Sequence, residues 1–385
     1  MNPIFSFTGA RLIVFGKGAF ATLPQHMADL GASRPLVIMD GALAKSGLAE
    51  KVRALFGEKK IACHLFDGVA GEPALELADE CGALAREHRC DCVIGIGGGS
   101  AMDVAKAAAV VATNGGPAAE YLGLNKIPAP GLPKIMVPTT AGTGSEVTFT
   151  SVFIRKDLRK KEGMNSPFLY PEVALLDPLL TLSVPPAVTA MTGLDAFCHA
   201  VESYTSLHAN PMSEMVSLKA IELIAAHLRT CVHDGSNEEA REQMMLASLY
   251  AGLGLANAGV TAVHSLSYPL GGRYGVPHGL ANTLLLVPTM RFNLPGAIEK
   301  LADVAEAMGV LIEPVPSRDA AEWAIDEMEQ LIADCGITVT LRDQGVKETD
   351  FHALAEIAMT VARPLANNPR KVTIEDAVAI YAEAY

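Results

Sequence analysis

Two side chains four residues apart in a strongly helical stretch have the chemistry of a divalent-metal site. Asp195 and His199 lie in this stretch, and the pair Pro185 and Pro186 upstream is typical of a helix start. Residues at this spacing share one face of a helix about one turn apart, so a carboxylate oxygen and an imidazole nitrogen can reach the same ion. A contact that only stabilises the helix is the commoner role for such a pair. The pair alone leaves both interpretations open.

Two further histidines could complete a metal site. His264 lies in an uncharged apolar segment, where a buried imidazole needs a partner, and His278 stands beside the permissive Gly279. One aspartate with three histidines suits Fe²⁺ or Zn²⁺ better than Mg²⁺ or Ca²⁺. We therefore expect Fe²⁺ or Zn²⁺ if the four side chains meet.

A glycine turn has the chemistry of a phosphate site. The apolar residues 92–96 predict a strand, and a helical pattern follows with Ser100 as its expected N-cap and Asp103 at the reciprocal capping position. Glycines let a ligand approach the backbone, and the N–H groups at a helix start favour a pyrophosphate. The candidate pyrophosphate-binding residues are Gly97, Gly98, Gly99 and Ser100. The turn is not the GxGxxG fingerprint, and an ordinary strand-to-helix connection is the alternative.

A second loop, rich in hydroxyl groups, follows the predicted strand at residues 134–138. Such side chains contact phosphate and ribose without steric bulk, and ligands of open α/β sheets bind where the strands end. Two loops of this kind favour a nucleotide site over an ordinary surface loop. Asp40, at the end of another predicted strand, could accept hydrogen bonds from an adenosine ribose and would repel the extra phosphate of NADP. We therefore expect NAD.

Length and composition limit the elements that can position these residues. The chain has 385 residues, of which 50% are hydrophobic and 19% charged. This is enough for two domains with apolar cores and excludes a disordered or fibrous protein. The net charge of −13 argues against nucleic acid and anionic membranes as partners. Seven cysteines without the spacing of secreted domains indicate reduced thiols in a cytoplasmic protein, with Cys90 and Cys92 buried.

The pattern of the chain changes near residue 180. Before it, short β-branched runs alternate with amphipathic helical patterns, which is typical of βαβ units, and after it only helical patterns follow. We predict an α/β nucleotide-binding domain with a parallel sheet over residues 1–180 and an all-helical metal-binding domain over residues 181–385. Predicted strands occupy residues 35–39, 61–66, 92–96 and 134–138. Thr373 with Asp376 predicts a capping box that starts the last helix.

Three segments bear on membranes and targeting. Residues 244–263 carry no charge and are 20 residues long, and a bilayer span needs roughly 20. Their glycines favour a closely packed core helix instead. The N-terminus has no basic segment before its apolar run, so no signal peptide is expected. The basic stretch at residues 156–161 is expected to be a solvated turn.

Four internal motifs and the C-terminal sequence, in order along nearly the whole chain, resemble the iron-containing, group III alcohol dehydrogenases. They are GGGSAMDVAK (97–106), PTTAGTGSEVT (138–148), GLDAFCHAVESY (193–204), GVPHGLANTLLLVP (275–288) and NNPRKVTIEDAVAIYAEAY (367–385). The resemblance implies a nucleotide-binding α/β domain followed by a helical domain, an architecture shared with dehydroquinate synthase.

The resemblance also implies roles for individual residues. The implied metal ligands are Asp195, His199, His264 and His278. Besides Asp40 and the glycine turn, the implied NAD-binding residues are Thr139, Thr140, Thr143, Ser145 and Lys161. Lys161 stands where family members have a lysine that faces the cofactor, and a solvated charge is its alternative role.

Two positions depart from the family pattern. Glu72 stands where the family usually has an asparagine near the cofactor, and Tyr268 replaces a histidine often thought to relay protons. A tyrosine, whose ordinary pKa is about 10, is a poor base. A similar Ser-Tyr-Pro sequence occurs in relatives that act on hydroxy acids. The candidate catalytic residues are His264, His278 and Tyr268.

The expected reaction is reversible hydride transfer between NAD and a small alcohol or aldehyde, in a homodimer or larger homo-oligomer. We expect short-chain primary alcohols or diols as substrates. A 4-hydroxybutyrate-type hydroxy-acid dehydrogenase is the alternative, because Arg273 could pair with a carboxylate. A dehydroquinate synthase-like lyase is less expected, since few basic residues lie near the ligands. A non-catalytic nucleotide-binding module is not expected either, because such a protein would not need all four metal ligands.

Overall fold

The computed structural model describes residues 4–155, 157, 160–310 and 315–385. The chain divides into two compact units. One is Gly9–Leu182, and the other is Ser183–Tyr385 together with the N-terminal segment that ends at Thr8. Asn257 ties that segment to the second unit, because its side chain accepts from Thr8 N at 2.7 Å and donates to Thr8 O at 2.8 Å.

The first unit is built on a six-stranded sheet whose strands are β1 (Leu12–Phe15), β2 (Pro35–Asp40), β3 (His64–Val69), β4 (Cys92–Gly97), β6 (Lys134–Pro138) and β9 (Val173–Leu176). They lie in the order β1-β9-β6-β4-β2-β3, with parallel pairing throughout. The second sheet holds β5 (Gly123–Leu124), β7 (Thr150–Arg155) and β8 (Lys160–Asn165), of which β7 and β8 form an antiparallel pair. The predicted α/β domain with a parallel sheet is confirmed.

Helices cover both faces of the main sheet because its central strands are apolar on both sides. In β2, Leu36 and Ile38 face one core, and Val37 and Met39 face the other. Continuous apolar runs of this kind are typical of parallel strands buried on two faces. The helices of this unit are α1 (Leu23–Asp29), α2 (Gly41–Leu43), α3 (Ala49–Glu58), α4 (Glu76–Glu87) and α5 (Gly99–Asn114). The predicted burial of Cys90 and Cys92 is confirmed.

The basic stretch at residues 156–161 falls partly outside the described residues, which exclude 156, 158 and 159. Asp157 is an exposed turn residue, as expected for the stretch. Lys160 and Lys161 instead begin β8, where they pair with Arg155 and Ile154 of β7. The strand was missed because its charged residues carry no apolar alternation, and the partner strand determines its conformation.

The described residues of the second unit form helices, short helical turns and loops. Its helices are α6 (Pro186–Thr205), α7 (Pro211–His233), α8 (Glu238–Ala258), α9 (Ala262–Tyr274), α10 (His278–Asn293), α11 (Ile298–Ala307), α12 (Ser317–Asp334), α13 (Phe351–Met359), α14 (Ala362–Asn367) and α15 (Ile374–Glu383). The all-helical prediction is confirmed. So is the capping box, since Thr373 Oγ1 accepts from Asp376 N and Asp376 Oδ2 accepts from Thr373 N.

The prediction of a single core helix over the uncharged segment 244–263 is wrong. It is divided between α8 and α9, and the two helices meet at a bend of 103°. The break occurs at Gly259, whose φ of +74° suits glycine. A Cβ atom at this position would lie 2.5 Å from Asn367 Nδ2, so a larger residue would not fit. Among the described helices, none is long and apolar enough to cross a bilayer by itself, and only this bent pair has the required length and apolar composition when its two helices are taken together.

Candidate functional site

Three helices of the second unit bring the four predicted metal ligands together. Asp195 and His199 lie one turn apart on α6, His264 lies in the first turn of α9, and His278 is the first residue of α10. One donor atom from each residue lies within 4.8 Å of the other three. The Asp195 Oδ1 atom is 3.9 Å from His199 Nε2 and 4.0 Å from His278 Nε2. All but the half-buried His278 are buried.

A buried asparagine shows that the donors converge on one point. The Asn282 Nδ2 atom lies 2.8 Å from Asp195 Oδ1, 3.1 Å from His264 Nε2 and 3.3 Å from His278 Nε2. Its own Oδ1 atom is buried without a hydrogen-bond partner. One carboxylate and three imidazoles whose acceptor atoms face a common centre fit a borderline-hard divalent cation such as Fe²⁺ or Zn²⁺.

The charge of the cluster also suits a cation. Burial acts to raise the pKa of Asp195, but the neighbouring His199, His278 and His264 and the hydrogen bond from Asn282 outweigh it and lower the pKa below its ordinary value. Asp195 is therefore an anion at neutral pH, although it is buried. Its charge is available to neutralise part of a bound ion.

A close approach between two helices places His278. A Cβ atom on Gly279 would lie 2.4 Å from the Met191 carbonyl oxygen of α6. Only glycine permits this contact. The start of α10 can therefore lie against the helix that carries Asp195 and His199.

Two polar residues of this centre were missed in the sequence. Asn282 lies four residues after His278 on α10, and Glu202 lies three residues after His199 on α6. The Glu202 carboxylate contacts the Nδ1 atom of His264. The same helical spacing that identified Asp195 and His199 would have identified both of them.

In the first unit, strand register places the two predicted nucleotide loops side by side. Gly97 at the end of β4 pairs with Pro138 at the end of β6, and Thr139 N donates to Gly97 O at 3.0 Å. On the other side of β4, Met39 pairs with Ile96, so Asp40 ends the neighbouring strand. These three carboxyl ends lie at the sheet edge where ligands of open α/β sheets bind.

The prediction that Ser100 caps the helix is wrong. Gly98, with extended backbone, is the N-cap, and α5 begins at Gly99, so Ser100 lies in the first turn. Asp103 is not a capping partner because other groups bind it: Oδ1 accepts from Ser145 Oγ at 2.6 Å, and Oδ2 accepts from Val152 N at 2.9 Å. No side chain of the described residues caps this turn. Its N–H groups are therefore available to an anionic ligand.

The hydroxyl-rich loop lies against the glycine turn and contains unsatisfied groups. A Cβ atom on Gly98 would lie 3.7 Å from Thr140 Oγ1, and one on Gly99 would lie 3.0 Å from Thr143 Cγ2. The Oγ1 atoms of Thr139 and Thr140 are buried without hydrogen-bond partners. Buried hydroxyls are normally paired, so these two fit a site that a polar ligand completes.

Three other predicted site residues have protein neighbours. Asp40 Oδ1 accepts from Ala42 N at 2.7 Å and caps α2. Lys161, which is nearly buried, places its Nζ atom 2.5 Å from Glu72 Oε1. The Tyr268 ring lies 6.1 Å from that of His278, so Tyr268 borders the metal-ligand cluster.

Comparison with known proteins identifies the family. A profile described as iron-containing alcohol dehydrogenase matches residues 10–178, and one described as the C-terminal part of the Fe-containing alcohol dehydrogenase family matches residues 189–385. Long-chain-alcohol dehydrogenase 1 of Geobacillus thermodenitrificans (strain NG80-2) is 40% identical over 373 residues, which cover 96% of this chain and 94% of that protein.

Solved structures give the same result. A crystal structure of 1,3-propanediol oxidoreductase has a TM-score of 0.96 and 39% identity over 100% of both chains. Sulfoacetaldehyde reductase from Bifidobacterium kashiwanohense, in complex with NAD⁺, has a TM-score of 0.89 and 32% identity over 100% of this chain and 99% of that chain. The resemblance seen in the motifs is confirmed, and the chain belongs to the iron-containing alcohol dehydrogenase family, a family of NAD-linked oxidoreductases.

Proposed function

We propose that this protein is a metal-dependent, NAD(H)-linked enzyme that interconverts short-chain primary alcohols or diols with aldehydes. The observation that carries the proposal is the cluster of Asp195, His199, His264 and His278, whose donor atoms lie within 4.8 Å of one another. Fe²⁺ is the proposed ion because the matching family is described as iron-containing. Zn²⁺ is the alternative, because this donor set suits both ions. By their names, the relatives described above act on long-chain alcohols, a diol and sulfoacetaldehyde. The substrate class of this protein is therefore inferred from the residues of its own site.

A divalent ion in this cluster would supply the Lewis acidity that favours loss of the alcohol proton or polarises an aldehyde carbonyl, and NAD would accept or return the hydride. Asp195 contributes the one formal negative charge among the four donors, so it would neutralise half the charge of a divalent ion. His278 has 32% of its side chain exposed, and it marks the accessible side of the cluster. We assign Tyr268, beside His278, to a hydrogen bond with the substrate oxygen.

The nucleotide-binding residues are proposed from the first unit. The uncapped first turn of α5 would receive the pyrophosphate, and the buried hydroxyls of Thr139 and Thr140 would donate to it or to a ribose. Asp40 would accept from the adenosine ribose through the oxygen that does not cap α2. Ser145 already donates to Asp103, which supports a role in holding the loop in place.

The position of Arg273 supports a neutral substrate. Arg273 lies in the last turn of α9 and is exposed, whereas His264 of the metal-ligand cluster lies in the first turn. An arginine that recognises a substrate carboxylate usually makes paired hydrogen bonds from a site shielded from water. We therefore favour neutral aldehydes over 4-hydroxy acids.

The test is NADH oxidation by protein stripped of metal and reconstituted with Fe²⁺ without oxygen, with butanal, lactaldehyde and succinic semialdehyde as parallel substrates. We expect faster turnover of the two neutral aldehydes. Preference for the semialdehyde would contradict the neutral-substrate proposal and favour a hydroxy-acid dehydrogenase. If none of the three turned over while metal was bound, the dehydrogenase proposal itself would be wrong, and the lyase alternative would be tested next.

The ion pair between Glu72 and Lys161 predicts an effect on cofactor affinity. In Glu72→Asn, Lys161 loses its carboxylate partner and the region loses one negative charge, so the anionic cofactor meets less repulsion. We expect NADH to bind up to about fivefold more tightly, the equivalent of about 1 kcal/mol. Fluorescence titration with NADH measures this.

Lys161→Ala provides the control for that experiment. It should weaken NADH binding alone, and it should remove most of the gain when combined with Glu72→Asn. If neither single variant changed the affinity for NADH, the ion pair between Glu72 and Lys161 would have no role in cofactor binding.

A further inference from the structure

Glu202 is a fully buried carboxylate on the metal-binding helix α6. Its relative exposure is 0%, and it lies on the same helical face as Asp195 and His199. Carboxylates are almost never fully buried unless they are paired. The contacts of Glu202 therefore define its role.

The two carboxylate oxygens have different partners, and both lead to His264. Oε1 accepts from Thr261 N at 2.8 Å, from Thr261 Oγ1 at 3.0 Å and from His264 N at 3.3 Å. Oε2 contacts the Nδ1 atom of the His264 ring. Glu202 thus holds both the backbone and the side chain of one predicted metal ligand.

The contact at Nδ1 selects one form of the imidazole ring. A carboxylate accepts hydrogen bonds and has none to donate, so Nδ1 of His264 must carry a proton. In the neutral ring, Nε2 is then left with its lone pair. That atom faces the cluster, 3.1 Å from Asn282 Nδ2. The tautomer selected by Glu202 is the one that can bind a metal through Nε2.

The contacts at Oε1 also determine where α9 begins. Thr261 is the N-cap of α9, and its hydroxyl donates to Glu202. The carboxylate supplies the acceptor that an N-cap side chain usually supplies, and its negative charge lies at the positive end of the helix. His264, in the first turn, is therefore held in register by the same group that orients its ring.

We propose that Glu202 is a positioning residue of the metal centre, which selects the Nδ1-protonated form of His264 and fixes the helix start that presents it. The inference rests on the metal centre of the proposed function. Hydrogen-bond partners of metal-binding histidines typically contribute a factor of about 10 to 100 in metal affinity.

Glu202→Gln tests the proposal with little change of shape. If the glutamine amide NH₂ faces Nδ1, the ring must accept there and carry its proton on Nε2, which blocks metal binding. If the amide oxygen faces Nδ1, the NH₂ group meets the N–H groups of Thr261 and His264. Either orientation removes the arrangement that Glu202 provides.

The measurement is Co²⁺ affinity and Co²⁺ visible absorption of the full chain, read without turnover. We expect Glu202→Gln to bind Co²⁺ about 10- to 100-fold more weakly and with an altered spectrum. Thr261→Val is the matched control, because it removes one donor to Oε1 and leaves the contact with Nδ1. Its affinity should fall by less than the factor of about 10 expected as a minimum for Glu202→Gln, because Oε1 keeps its two backbone donors, Thr261 N and His264 N.

The outcomes separate this inference from the proposed function. Unchanged Co²⁺ affinity and spectrum in Glu202→Gln would overturn the role of Glu202, whereas failure of the unchanged protein to bind Co²⁺ would overturn the metal centre. If Glu202→Gln does not fold, ¹⁵N NMR of the His264 ring in the metal-free, unchanged protein decides. A proton on Nδ1 is expected, and a proton on Nε2 alone would contradict the proposal.

Discussion

Replacing His264 with alanine is expected to abolish tight metal binding and to lower turnover by about a thousandfold or more. The imidazole supplies one of the four donors of the cluster, and the charge stabilisation lost with the metal amounts to several kcal/mol. NADH affinity should be largely retained, because the proposed nucleotide-binding residues belong to the other unit, Gly9–Leu182. Metal content and NADH titration of the same preparation measure both.

A second variant separates loss of the ligand from loss of stability. His264→Ala leaves the Glu202 carboxylate without its ring partner, and an unsatisfied buried group of this kind lowers the free energy of unfolding by about 2 kcal/mol or more. In His264→Asn the side-chain NH₂ can take the place of Nδ1, while the donor at Nε2 is lost. Both variants should lack metal and activity, and only His264→Ala should melt clearly earlier. Unchanged turnover in either variant would remove His264 from the reaction.

Removing the charge of Asp40 is expected to relax the preference for NAD over NADP by about 10- to 100-fold in the ratio of kcat/KM values. A carboxylate beside the adenosine ribose repels a 2′-phosphate, and like charges in contact cost on the order of 1–3 kcal/mol. The effect should appear as improved use of NADP more than as poorer use of NAD. Steady-state kinetics with both cofactors measure it.

Asp40→Asn is the sharper variant, because Asp40 Oδ1 also accepts from Ala42 N and caps α2. Asparagine retains that acceptor and loses only the charge. Asp40→Gly removes both and should cost a few tenths of a kcal/mol in stability beyond the change in specificity. Glu58→Gln, which neutralises an exposed carboxylate at the end of α3, serves as the control for net charge. If Asp40→Asn and Glu58→Gln gave the same ratio, Asp40 would have no role at the ribose.

The central strands were predictable because burial on both faces makes them continuous apolar runs. Predicted residues 35–39, 92–96 and 134–138 correspond to β2, β4 and β6 within one residue at each end. By contrast, β1 and β9 have four residues each, too few for a periodic pattern. The β7–β8 pair was missed because β8 contains charged residues, and its conformation depends on its neighbour.

Local sequence was also sufficient where one element contains the whole interaction. Asp195 and His199 lie one turn apart because a helix has a fixed period. The Thr373–Asp376 capping box forms because both partners belong to one helix start. Ser100 shows the limit of this reasoning, since Gly98 and the tertiary partners of Asp103 determined the start of α5.

The residue types of the metal-ligand cluster, and hence its chemistry, could be inferred from the chain alone. The meeting of α6, α9 and α10 could not, because His264 and His278 lie far along the chain from Asp195 and their positions depend on packing between helices. Gly279 permits one close approach and Glu202 fixes the start of α9, and neither contact has a periodic signal that would predict its partner. Hydrophobic burial brings helices together without specifying direction. Close contacts and buried hydrogen bonds between distant residues therefore determine which side chains form the site.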